Sequence, residues 1–243
     1  GLLQGLTEFL PVSSSGHLVV AQHVLPLEQT ALTFDLALHL GTLAAVFLYF
    51  RRDLLKLVRE PLEPVNRRWI LGIVLASIPT ALVGLCLREH VQSFFGRPGM
   101  AAAGISLTGL FLLFSARRRI HRPLPHALSA LMIGFAQSWA ILPGISRSGW
   151  TIGLALMLAW PREEAFRFSF LLSIPAIMGA SALEALHLQS LPHPGYLFLG
   201  MCVAFLTGLW ALRWLRALVL REGFHRFGWY CVPAGIIFFL FLP

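Results

Sequence analysis

The chain has 243 residues, 57% of them hydrophobic and only 12% charged, with a mean hydropathy of +0.74. That composition excludes a soluble globular domain and marks an all-α polytopic membrane protein. The net charge of +8 would suggest nucleic acid in a soluble protein. Here the basic residues lie between apolar runs, so they report membrane topology, and no nucleic-acid partner is expected.

The first element is the stretch Gln4 to His17, QGLTEFLPVSSSGH, set between the apolar runs Leu2 to Leu10 and Leu18 to Leu25. A span needs about 20 apolar residues, so runs of this length reach only half-way across a bilayer. With Pro11 and Gly16 between them, they predict a re-entrant hairpin of two half-helices whose polar loop sits near the midplane. Irregular backbone at that depth requires a protein-lined or wet cavity. The chain begins at Gly1 inside the first half-helix, so upstream residues are expected, and no cleavable signal-peptide pattern is read.

Apolar spans are expected next at about Ala31–Phe50, Trp69–Leu87 and Met100–Ala116. The hairpin then recurs over roughly His126–Trp160, around QSWAILPGISRSGWT from Gln137 to Thr151. At an offset of 133 residues Gln4 meets Gln137, and Ser13, Ser14, Ser15 and Gly16 meet Ser146, Arg147, Ser148 and Gly149. The register continues through Phe34–Thr42 against Arg167–Pro175. Three further spans are expected near Phe166–Leu186, Tyr196–Leu215 and Phe227–Leu242. The chain therefore reads as one membrane domain, 1–243, of two repeats (about 1–122 and 123–243). Each repeat is a re-entrant hairpin followed by three transmembrane helices.

Charge sets the orientation. The connections at 51–68, 117–122, 162–167 and 213–226 together hold 16 Lys/Arg, against 2 in those near 88–99 and 187–195. The positive-inside rule makes the rich connections cytoplasmic. Threading six spans accordingly brings the first hairpin in from outside and the second from inside. The repeats are then inverted, with their loops meeting near the midplane, where helix N-termini attract anions.

Arg147 is the costliest residue to place in a membrane, about 2.5–3.5 kcal/mol on insertion scales. A snorkelling Arg is the plain alternative, but ten or more apolar residues separate Arg147 from either basic cluster. Its planar fork suits a phosphate. Ser13, Ser14, Ser15, Ser146, Ser148 and Thr151 bring hydroxyls to the same junction; singly each reads as a helix cap, together as a phosphate cradle. Glu8, one helical turn after Gln4 on one face, either pairs with Arg147 or serves as a base or a cation ligand. His17 is a core histidine or a proton-exchange group beside Ser14 and Glu8. Asp35, His39 and Glu184 are expected to line the cavity or pair with one another. Gln137, Glu163 and Glu164 are expected to orient or solvate the second hairpin, and Pro79 and Pro175 to bend their helices. Cys86, Cys202 and Cys231 read as small core residues outside any disulfide.

At these residues the sequence resembles the undecaprenyl-diphosphate phosphatases associated with bacitracin resistance. The (E/Q)xxxE element stands as Gln4-x-x-x-Glu8, followed by Pro11-Val12-Ser13-Ser14-Ser15-Gly16-His17. The PGxSRSxxT element runs in full from Pro143 to Thr151, and the likeness extends to His39–Thr42 and Phe168–Leu172. The resemblance implies metal-assisted hydrolysis of undecaprenyl diphosphate, or another polyprenyl diphosphate, to the monophosphate and inorganic phosphate. It implies a multi-pass protein of the bacterial plasma membrane whose site opens extracytoplasmically and recycles the lipid carrier of cell-wall synthesis. Carried over by motif, Glu8, Ser14, His17 and Arg147 are catalytic. Gln4, Ser13, Ser146, Ser148 and Thr151 bind substrate. Glu8 and Gln4 hold Mg²⁺ or Ca²⁺. Either Ser14 or His17 is the nucleophile. The partners implied are the lipid substrate, membrane lipids and, as a candidate assembly, a second copy of the chain. The rival class is a carrier that moves a lipid phosphate or another anion without chemistry.

Overall fold

The computed structural model describes residues 1–24, 31–87, 94, 97–115, 126–186 and 194–241. The expected connection at 117–122, and most of those at 88–99 and 187–195, lie outside the described residues. Within the described residues the chain is all-helical. The order is α1 (Leu2–Thr7), α2 (Ser14–Val24), α3 (Ala31–Tyr49), α4 (Arg51–Arg59), α5 (Pro64–Cys86), α6 (Pro98–Ser115) and α7 (His126–Trp139). Then come α8 (Arg147–Met157), α9 (Arg162–Ala185), α10 (Pro194–Leu220), a 3₁₀ turn at Phe224–Phe227 and α11 (Gly228–Phe241).

Five helices are long and apolar enough to cross a membrane, and α3 with α4 makes a sixth if that bent pair is one span. The predicted spans are thus found with their ends shifted by a few residues, since α5 starts at Pro64 and α10 runs on to Leu220. Pro64 occupies the first turn of α5, where its missing N–H costs nothing, and the Glu63 side chain accepts from the Asn66 N–H. Pro79 and Pro175 lie inside α5 and α9.

α4 was not foreseen. It turns 70° from α3 at Phe50. It carries Arg51, Arg52, Lys56 and Arg59, with Leu54 and Leu57 packed against the core cluster. A basic helix with one apolar edge belongs at a membrane surface, which explains the turn.

Large apolar side chains such as Phe47, Leu82, Leu206 and Phe239 point outward, while Gln4, Thr42, Thr108, Ser129 and Thr151 are wholly buried. That outward apolar surface, around a core that holds Phe9, Phe166 and Leu212 beside these polar groups, suits an apolar solvent. Cys231 is buried, but Cys86 is exposed rather than a core residue, because it faces out at the end of α5.

The two halves interlock. α1 packs on α10, and α7 packs on α5. α3 likewise packs on α10, α9 on α5, α3 on α9, and α6 along α11. Small residues make the close contacts, since a Cβ on Gly134 of α7 would lie 2.2 Å from the Ala76 carbonyl oxygen of α5. Gly134→Val is therefore expected to lower the melting temperature of detergent-purified protein, in keeping with overpacking costs of about 1–3 kcal/mol. Gly179→Val, where nothing lies within 4 Å, should leave it nearly unchanged. Equal melting of the two variants would refute this contact.

Candidate active site

Both predicted loops are present as breaks between short helices: residues 8–13 between α1 and α2, and 140–146 between α7 and α8. The first turns through Ser13 at φ 71°, a left-handed conformation that a serine rarely adopts. The second turns through Gly144 at φ 86°. Each serine at a break caps the helix that follows. Ser13 Oγ accepts from the Gly16 N–H at 3.2 Å and lies 3.3 Å from Ser15 Oγ. Ser146 Oγ accepts from the Gly149 N–H at 3.1 Å and lies 3.3 Å from Ser148 Oγ. The 133-residue offset is thus repeated in hydrogen bonds as well as in letters.

The two loops touch through backbone. A Cβ on Gly16 would lie 2.9 Å from Gly144 Cα, and a Cβ on Gly149 would lie 3.3 Å from Pro11 Cβ. Shifting the first pair by the offset converts it into the second. The N-terminal ends of α2 and α8 are consequently neighbours, and the positive ends of both helix dipoles meet there.

Glu8 sits at that junction. Its Oε1 accepts from Arg147 Nη2 at 2.6 Å, and its Oε2 accepts from Ser14 Oγ at 2.6 Å and from Gln4 Nε2 at 3.1 Å. Three sequence-predicted residues therefore converge on one carboxylate from both repeats. Two buried polar atoms here have no partner: Gln4 Oε1, an acceptor, and Arg147 Nη1, a donor. Arg147 thus keeps one buried guanidinium nitrogen without a partner while its other arm is anchored. Thr151 lies a turn further along α8, bonding the Arg147 carbonyl at 2.8 Å and the Ser169 hydroxyl of α9. It braces α8 and holds Arg147 in place.

His17 does not join Ser14 or Glu8 by any hydrogen bond among the described residues. Its Nδ1 meets the Ser13 carbonyl at 2.7 Å, and its Nε2 meets the Tyr230 hydroxyl of α11 at 2.8 Å. A carbonyl only accepts, so Nδ1 carries the proton, and in the neutral ring Tyr230 donates to Nε2. The imidazole supports the left-handed turn at Ser13 from behind.

Four residues near the loops carried little or no sequence signal. Thr108 of α6 accepts from the Ser146 N–H at 3.0 Å and donates to the Gly144 carbonyl at 3.1 Å, which pins the second break. Tyr230 is reached only through the fold, and Ser169 stood in the Phe168–Leu172 stretch of the family resemblance without a role of its own. His39 was singled out as a cavity or pairing residue and within the His39–Thr42 stretch of the resemblance; its Nδ1 meets the Asp35 carbonyl at 2.8 Å and its Nε2 lies 3.8 Å from Glu8 Oε2. Two polar residues, Asp35 and His39, one turn apart in an apolar span were the available clue. Asp35 itself accepts from Gln22 at 2.9 Å.

A hydroxyl donating at 2.6 Å to a carboxylate is the geometry of a nucleophile with its base. A buried guanidinium with a free arm, between two helix N-termini, is the geometry of an anion site.

Comparison with known proteins agrees over the whole length. The sequence model of the family described as "Bacitracin resistance protein BacA" matches residues 1–237. The chain is 40% identical over 250 residues to the "Undecaprenyl-diphosphatase" of Korarchaeum cryptofilum, covering 97% of this chain and 94% of the relative. It is 41% identical over 251 residues to that of Syntrophotalea carbinolica, covering 98% and 95%. It is 34% identical over 259 residues to "Undecaprenyl-diphosphatase 1" of Bacillus cereus, covering 100% and 95%. With two helix breaks joined through Glu8 and Arg147, and a family match along almost its entire length, the chain belongs to the BacA bacitracin-resistance family.

Proposed function

We propose that this chain is an undecaprenyl-diphosphate phosphatase, releasing inorganic phosphate and leaving the lipid monophosphate. The family membership supports the reaction, and one observation supports its seat: Glu8 holds the Ser14 hydroxyl and the Arg147 guanidinium at once. In this reading Ser14 Oγ attacks the terminal phosphorus, and its proton passes to Glu8. The bridging P–O bond breaks, and the lipid monophosphate departs with the electron pair. Water then cleaves the phosphoserine, returning the serine and freeing inorganic phosphate. Arg147 Nη1 and the N–H groups opening α2 and α8 meet the phosphate oxygens, where charge develops. Ser13, Ser146 and Ser148 shape those N-termini, and His17 with Tyr230 holds the Ser13 turn. A carrier of lipid phosphate has no use for a hydroxyl seated on a carboxylate, which favours hydrolysis.

Purified protein in detergent should release phosphate from undecaprenyl diphosphate. Ser14→Ala and Arg147→Lys should each lose most turnover, on the order of 10²-fold or more for groups that stabilise the transition state. Lysine keeps the charge but loses the fork. Near-normal turnover in Arg147→Lys would reduce Arg147 to a generic positive charge.

A divalent cation fits the same place. Gln4 Oε1 is a buried acceptor with no donor, and Glu8 Oε1 accepts from Arg147 alone. No group of three His, Cys, Asp or Glu suited to a metal occurs among the described residues. A cation here would be shared by Glu8, Gln4, water and the substrate phosphates, as is usual for Mg²⁺, with Ca²⁺ as the other hard candidate. Bound there, it supplies charge neutralisation to the diphosphate. Excess EDTA should abolish phosphate release, and Gln4→Glu should lower the Mg²⁺ concentration required. Unchanged metal dependence in Gln4→Glu would remove Gln4 from the cation site.

The two halves are proposed to be inverted repeats of one domain with re-entrant hairpins. Support comes from the interchange of packing partners, α1 on α10 with α7 on α5, and α3 on α10 with α9 on α5. The exchanged loop contacts, Gly16 with Gly144 and Pro11 with Gly149, follow the same pairing. The basic partition then turns the site toward the extracytoplasmic face of the plasma membrane, where the lipid carrier of cell-wall synthesis is recycled. In a background with the three native cysteines replaced, Leu186→Cys should label with an impermeant reagent in intact cells. Val58→Cys on α4 should label only after permeabilisation. The opposite pattern would invert the topology.

A further inference from the structure

A second feature lies away from the loops, at the end of the molecule that carries α4. Between the first turns of α5 and α7 there is a cavity of about 360 Å³. Its mouth is formed by Arg67, Arg68 and His126, and its wall by Leu71, Gly72 and Leu75. The residues advance along α5 at 1.5 Å each, so Leu75 lies about 10 Å deeper than Arg68. The cavity thus has an almost wholly apolar lining, with two exposed arginines and His126 at the end where the helices begin.

Three other arginines of this face are paired, while Arg51, Arg52, Lys56 and Arg59 of α4 make no ion pair among the described residues. Arg167 meets Asp53 and stacks over Trp69 at 4.8 Å, Arg216 meets Glu163 at 2.9 Å, and Arg162 meets Glu222. No carboxylate lines the cavity, and among the described residues no ion pair engages Arg67 or Arg68. The neighbouring Glu63 is spent on capping α5 through Asn66. His126 is fixed in place by stacking on Trp160 at 4.9 Å, which itself packs on Phe168.

We propose that this cavity binds an anionic phospholipid, its phosphate held by Arg67, Arg68 and His126 and its acyl root lying on Leu71 and Leu75. A free phosphate would match the mouth but leave the apolar wall bare, whereas a zwitterionic lipid would bring a second cation against two arginines. Both fit worse than a singly anionic headgroup. The site lies on the face bearing the basic connections, opposite the opening proposed for hydrolysis, so it takes a resident lipid of that leaflet. Its occupant would brace α5 against α7. That pair is already joined by Thr80 Oγ1 to the Gly134 carbonyl at 3.3 Å and by Gln137 Nε2 to Thr80 at 3.0 Å. α7 leads into the break that precedes Arg147, so the lipid would steady the second loop.

The test is native mass spectrometry of the full chain, titrated with dioleoylphosphatidylglycerol or dioleoylphosphatidylcholine, alongside melting in each lipid and in inorganic phosphate alone. Phosphatidylglycerol should bind and raise the melting temperature, while phosphatidylcholine and phosphate do neither. Arg67→Gln/Arg68→Gln should bind it roughly 30-fold more weakly, from a factor of about five for each near-surface arginine. Arg51→Gln/Arg52→Gln on α4 removes the same charge outside the cavity and should bind within about threefold of the parent chain. Equal loss in both double variants would reduce the effect to general surface charge and overturn the proposal. Equal stabilisation by inorganic phosphate alone would overturn it too, by making the site one for free phosphate.

Discussion

Glu8 and Arg147 meet at 2.6 Å across two helix breaks that are 139 residues apart in sequence, and almost every feature of the molecule serves that meeting. Neither ion belongs in an apolar medium. An isolated Arg at the centre of a bilayer costs at least a few kcal/mol, and removing one partner of a buried pair costs about 3–5 kcal/mol. The pair therefore acts as a constraint on assembly as well as on chemistry. The loops must come together, because a separated Glu8 and Arg147 would each be left buried among apolar helices with nothing to neutralise it.

The helices are arranged to make that approach unavoidable. A half-helix of six residues such as α1 has few hydrogen bonds of its own and little surface with which to hold a position. It is seated by Gly5, where a Cβ would lie 2.6 Å from the Ala204 carbonyl oxygen of α10. α7 is seated in the corresponding way on α5 through Gly134. Each half of the chain thus supplies the cradle for the other's helix break, so neither half completes the junction of Glu8 with Arg147 alone. Thr108 and Tyr230, from helices that follow each hairpin, then fix the two loops from outside.

Much of this was legible in the letters because the bilayer makes polar residues conspicuous. Gln4, Glu8, Ser14 and Arg147 stand out against apolar runs, and the 133-residue offset places them together without reference to any distance. What escaped had one of two physical reasons. Thr108, Ser169 and Tyr230 are ordinary helix residues whose partners lie 38, 18 and 213 positions away, and no local pattern encodes such contacts. α4 escaped for another reason. Its basic residues were read as a connection, but their spacing on a helix face gives the chain a surface to lie on and a 70° turn to reach it. Cys86 shows the same limit on a smaller scale, since an apolar segment in a membrane can face lipid as readily as a core.

The unsatisfied atoms complete the argument. In a buried, otherwise well-bonded junction, an orphaned acceptor and an orphaned donor each carry a cost of about 1–3 kcal/mol. Gln4 Oε1 and Arg147 Nη1 are one of each. Both flank Glu8, so a ligand that relieves them must present acceptors to the arginine and a positive or hydrogen-donating group to the amide. A diphosphate with an accompanying cation has both faces. A simple anion satisfies Arg147 alone, and a simple cation satisfies Gln4 alone. In the reading proposed above that ligand is the substrate with its cation, and Ser14, already donating to Glu8, would then have a phosphorus to attack.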